Sequence, residues 1–177
     1  MPTTAALADV AIIVLKAVAV VMLARIAIVD FRIQKIRNEQ VLQLLAIALA
    51  LLALQYMKNG DWRAPLVVVA TSAVLFVVVI GFWFGGKIGA GDVKLLTIMP
   101  LLVGTTGALP FLIALLVFTL ATYFIMKFPL VLPERWFRTY IQSLASTGRV
   151  PFGVPISAAA VVAVLVSVVA VPVSSIA

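Results

Sequence analysis

Six acidic residues, Asp9, Asp30, Glu39, Asp61, Asp92 and Glu134, are the whole carboxylate inventory of this 177-residue chain, which has no histidine and no cysteine. Thiol nucleophiles, disulfides, Ser-His-Asp triads and Cys/His zinc sites are therefore excluded. The six acids sort by context. Asp9 lies near the start of an apolar run, and Asp61 sits in a short turn beside Gly60. Glu39 and Glu134 open helical segments, where a first-turn acid is favoured by the helix dipole. Asp30 and Asp92 remain, each at a junction between apolar run and polar segment. An acid at a membrane boundary is a functional hypothesis by default. Two carboxylates that approach each other cannot both ionise, so they share a proton. The ionised partner takes a proton from water, which attacks a carbonyl, and the protonated partner donates to the developing oxyanion or leaving amine.

Asp92 ends a glycine-rich break, Gly85-Gly86-Lys87-Ile88-Gly89-Ala90-Gly91-Asp92-Val93-Lys94. Gly89 and Gly91 allow positive φ and close approach of another chain, which an extended substrate peptide would need. Plainer readings stand beside this one. Asp92 before an apolar run is also a suitable helix N-cap, the glycines make an ordinary turn, and Asp30 beside Arg32 suits a solvated boundary. Lys94, two positions from Asp92, does not share its helix face and reads as an interfacial anchor.

These residues must be positioned by membrane helices. The chain is 65% hydrophobic with net charge +7, and its mean hydropathy is +1.28. A soluble domain is nearer half apolar. Apolar runs of about 20 residues, the length that crosses the hydrocarbon core, recur along the chain. The expected architecture is all-α: a polytopic membrane bundle of six transmembrane helices, forming a single integral-membrane domain over residues 1–177. The spans are placed at 5–29, 41–57, 65–84, 93–103, 108–127 and 150–171. Between spans 5 and 6, residues Glu134 to Thr147 put Trp136, Phe137 and Tyr140 at helical spacing, which reads as a short interfacial amphipathic helix. The fourth span is short, about half the bilayer core. Lys16, inside the first span, faces either the bundle interior or snorkels.

Six spans place Arg32, Lys35, Arg37, Lys87, Lys94, Lys127, Arg135, Arg138 and Arg149 on one face, against Lys58 and Arg63 on the other. The positive-inside rule then sets the first group in the cytoplasm and both termini outside. The basic balance thus reflects the membrane and its anionic lipid, with no soluble surface left to bind nucleic acid.

Gly89-Ala90-Gly91-Asp92-Val93-Lys94-Leu95-Leu96 resembles the Gly-x-Gly-Asp-x-Lys-Leu signature of the type IV prepilin peptidases, which are intramembrane aspartyl proteases. The segment from Asp30 through Lys35 to Ile36-Arg37-Asn38 is similar to that family's first aspartate segment, with Arg37 where the family has Pro. Val150-Pro151-Phe152-Gly153-Val154-Pro155-Ile156 resembles its late Pro-[Phe/Tyr]-Gly segment. The resemblance implies Asp30 and Asp92 as the catalytic pair, with Gly89, Gly91, Lys94, Lys35 and Asn38 as motif support. It implies no metal and no cofactor. The implied substrate is a prepilin or pseudopilin with an apolar N-terminal helix, cut at the cytoplasmic boundary of a bacterial inner membrane. The lack of cysteine, and of room for a cysteine-bearing methyltransferase segment, points to the short form associated with Tad/Flp pili. From another class, a small proton- or cation-coupled transporter using the same two acids fits the residues alone. Oligomeric state is not set by the sequence.

Overall fold

The structure, a computed structural model, describes residues 4–128 and 151–169. It is all-helical over those residues: α1 (Thr4–Ile33), α2 (Asn38–Asn59), α3 (Arg63–Phe84), α4 (Ala90–Lys127) and α5 (Gly153–Val169). Among the described residues, α1 to α4 are each long and apolar enough to cross a membrane. The amphipathic segment expected over Glu134 to Thr147 lies outside the described residues.

The expected fourth and fifth spans are one element, α4, of 38 residues. Straight, it would measure ~57 Å, nearly twice the hydrocarbon thickness. It is not straight. Gly104 has φ 69° and ψ −175°, a non-helical conformation that divides α4 into a shorter arm over 90–103 and a longer arm over 105–127. That region of backbone space is essentially confined to glycine. Gly104→Ala is therefore expected to destabilise the folded protein by about 1–3 kcal/mol, read as a lower unfolding temperature in detergent.

Helix ends follow local chemistry. Gly60, at φ 64°, caps α2 with its N–H on the Tyr56 carbonyl, a left-handed glycine stop. Pro65 and Pro155 lie in the first turns of α3 and α5, where no intrahelical N–H is required. Helix α1 runs past the expected limit at residue 29. Asp30 thus lies in its last turn, before Gln34 at φ 50° ends the helix. Arg37, the residue standing where the resembled segment has proline, has φ −77° and ψ 136° as the N-cap of α2. Proline adopts the same φ, so the turn is kept without it.

The core is formed by α1, α2, α5 and α4, the last chiefly through its N-terminal half but also through Phe111 and Ala114, with Leu23, Leu44, Leu95, Met99 and Ala160 fully enclosed. Helix α3 buries only Val68, Ser72 and Val79. Its many exposed Val and Phe side chains form the face that lipid would cover.

One helix pair is central to the site. Lys16 Nζ of α1 donates to Ser167 Oγ of α5 at 2.9 Å, and at the other end Asp30 lies against Gly153. Both contacts fit a single antiparallel register. Between them α1 presents Ala19, Leu23 and Ile26, and α5 presents Ser157, Ala160 and Val164, all buried. The four-three spacing on both helices is that of a packed helical seam. Lys16 therefore faces the interior, with a hydroxyl as its partner. At the end of the bundle away from Asp30, Lys58 of α2 makes an ion pair with Asp9 of α1.

Candidate active site

Asp30 and Asp92 line one cavity of about 580 Å³, together with Gln34, Lys35, Ile36, Lys87, Phe152 and the glycine-rich break from Gly86 to Gly91. The two carboxylates come from the end of α1 and the start of α4. Asp30 is 4% exposed. Asp92 is half-buried.

Asp92 is not the N-cap. That position belongs to Gly89, and Asp92 is the third helical residue, with its Oδ2 accepting from the Gly89 N–H at 3.2 Å. The contact satisfies one of the donors that a helix start leaves open and holds the carboxylate folded back over the first turn. It also explains the glycine, because a Cβ on residue 89 would lie 3.0 Å from that same oxygen. Gly91 has another reason. A Cβ there would meet the Cβ of Ile36 at 3.1 Å, so the missing side chain lets the α1–α2 connection pack against the start of α4. These glycines are set by close approach, while positive φ is confined in this loop to Gly86.

Asp30 is framed by α5. The amide of Gly153, at the start of α5, faces its carboxylate, and that of Val154, which also donates to the Pro151 carbonyl at 3.3 Å, lies beside it. They leave Oδ2 without a hydrogen-bond partner among the described residues. A Cβ on Gly153 would stand 2.7 Å from that Oδ2, so any other residue here must displace the Asp30 side chain.

Lys94 does not simply anchor at the interface. Its Nζ donates to Asn38 Oδ1 at 2.9 Å, joining the first turn of α4 to that of α2. Ser72 of α3 adds a second tie by donating to the Thr97 carbonyl. If the Lys94–Asn38 bond positions Asp92, then Lys94→Met, Asn38→Ala and the double variant should lose similar amounts of activity. A double-variant cycle measured on kcat/KM tests this, and additive losses would count against it.

Lys35 lines the cavity wall. Sequence reasoning assigned no site role to Gly153, Ile36 or Phe152. The Pro-Phe-Gly resemblance marked the segment holding two of them, but their contact with Asp30 and the cavity depends on the α1–α5 pairing. Among the described residues there is no cluster of acidic, histidine or cysteine side chains that could hold a metal ion.

No curated protein and no solved structure matches the chain. The family model described as the type IV leader peptidase family matches residues 17–130, more than half of the chain and the whole stretch that carries Asp30 and Asp92. This membrane chain therefore belongs to the type IV leader peptidase family.

Proposed function

We propose that the protein is an intramembrane aspartic endopeptidase that removes the short basic leader from type IV prepilins or pseudopilins of the Flp/Tad type. The observation that carries this reading is the meeting of Asp30 and Asp92, distant in sequence, on one cavity. In this reaction the ionised carboxylate removes a proton from water. The resulting hydroxide bonds to the scissile carbonyl carbon while the other carboxyl donates its proton to the carbonyl oxygen. Collapse of the tetrahedral species breaks the C–N bond, with a proton passing to the amine. The two protons belong to the pair, so neither aspartate is assigned as the base.

The proposed topology has six spans, counting the two arms of α4 separately and α5 as the last. Its support is the helix break at Gly104 and the basic side chains clustered at the Asp30–Asp92 end of the bundle. That end faces the cytoplasm of a bacterial inner membrane under the positive-inside rule. A prepilin leader would then reach the cavity from the cytoplasm while its apolar helix stays in lipid. The Flp/Tad assignment rests on the resemblance to the short form of the enzyme.

The test is reconstitution of the purified protein in vesicles with a full-length Flp-type prepilin. Leader release, seen as a size shift on a gel, is expected. Proton or cation flux without any cleavage would instead establish the transporter reading.

A further inference from the structure

Ser157 is 1% exposed, lies on α5 one turn from Gly153, and has no hydrogen-bond partner for its Oγ among the described residues. That is unusual for a hydroxyl in this bundle. Thr71, Thr97, Thr122 and Ser167 each donate to a carbonyl three or four residues earlier. Leaving a buried hydroxyl unpaired is costly, and Ser157 Oγ does not bond a carbonyl of its own preceding turn, so it calls for a partner elsewhere.

The seam identifies the direction. Across α1, Ser157 stands opposite Ile26, which offers no polar atom. One turn along the same two faces is Asp30, whose Oδ2 is also buried and unpartnered. Residues four apart on a helix hold their Cβ atoms about 5–6 Å apart, and Oδ2 lies against the Cβ position of Gly153. Both atoms thus lie within about one helical turn of each other on the same seam, the range that one water with two hydrogen bonds of about 2.8 Å can bridge. A direct bond does not form, and a buried polar pair of this kind is where proteins hold structural water.

We propose that a buried water bridges Asp30 Oδ2 and Ser157 Oγ, making Ser157 a positioning residue for the Asp30 carboxylate. The water donates one proton to Oδ2 and accepts from the Ser157 hydroxyl. Oδ2 is thereby held toward α5, and the carboxylate plane is fixed for its work in the cavity. The inference rests on the peptidase reading.

The experiment compares Ser157→Ala, Ser157→Cys, Ser157→Thr and Asp30→Asn, each purified in detergent, on a full-length Flp-type prepilin. Ala and Cys are expected to lower kcat by roughly tenfold or more with little change in KM, because a displaced carboxylate impairs the chemical step. Cys keeps the packing volume but bonds weakly to water, so it decides the matter if Ala weakens the fold. Thr restores the hydroxyl and should recover most of kcat. Parental kcat in Ala and Cys overturns the proposal, as does a loss confined to KM. Thr as inactive as Ala with Cys active would assign the effect to packing and also overturn it. If the parental protein does not cleave, the peptidase reading fails, and if Asp30→Asn cleaves at the parental rate, the two-carboxylate mechanism fails. If Asp30→Asn is dead and Ser157→Ala is unaffected, only the bridging water fails.

Discussion

Asp30→Asn and Asp92→Asn are each expected to reduce leader cleavage by roughly 10²–10⁴-fold, the usual range for loss of a general acid or base. Asn has the shape of Asp, so packing around both positions is preserved. It can neither take a proton from water nor deliver one. At residue 92 its amide oxygen can still accept from the Gly89 N–H, so the first turn of α4 should hold. At residue 30 its oxygen can still face the amides of Gly153 and Val154. Gel-resolved cleavage of a prepilin, with unfolding temperature as the control for folding, measures both. Parental cleavage by either variant would end the two-carboxylate mechanism.

Gly153→Ala should separate stability from activity. In a helix, alanine is favoured over glycine by about 1 kcal/mol, and α5 begins at this residue. The added methyl, however, would stand 2.7 Å from Asp30 Oδ2 and 2.8 Å from its Cγ. The carboxylate must then rotate or the seam must part. Rotation relieves the contact with Oδ2, while the Asp30 Cβ, 3.0 Å from the added methyl, must give by a few tenths of an ångström, and a displacement of about 1 Å in a reacting group can cost about 10²-fold in rate. The expected variant folds, unfolds at nearly the parental temperature and cleaves about a hundredfold more slowly. Parental kcat would show that the Asp30 carboxylate tolerates displacement from α5. A larger side chain, as in Gly153→Val, should lower both rate and stability.

Different parts of the molecule were legible to different degrees. The helical class follows from composition and the length of the apolar runs, which local physics sets. The role of Gly89 and Gly91 was only partly open to reading: close approach is what each serves, but to the Asp92 carboxylate and to Ile36 of the distant α1–α2 connection, and neither has positive φ. The α1–α5 pairing was not legible. It joins residues such as Lys16 and Ser167, 151 positions apart, and no periodicity within one helix reveals its partner. Lys16 therefore remained ambiguous, and Gly153 and Ser157 received no role. Helix boundaries shifted for a simpler reason. Asp30 and Asn38 are polar but helical, so a hydropathy limit stops short of the turns they belong to. The break at Gly104 is an intermediate case. Glycines between two apolar runs suggested separate spans, and the backbone does break there, at Gly104, although the two arms follow each other without an intervening loop.

Gly104 also makes the two carboxylates mechanically unlike. Asp30 stands on a post, since α1 is clasped along its length by α5 through the seam from Lys16 to Asp30. Asp92 stands on a short lever, the arm of α4 over residues 90–103, with a glycine-rich loop at one end and Gly104 at the other. The core packing of Leu95, Ile98 and Met99, with two fastenings from Lys94 to Asn38 and from Ser72 to the Thr97 carbonyl, sets its angle. The span of the cavity is thus a property of the lever, its packing and its fastenings, and substitutions there would tune the distance between the carboxylates without touching either one.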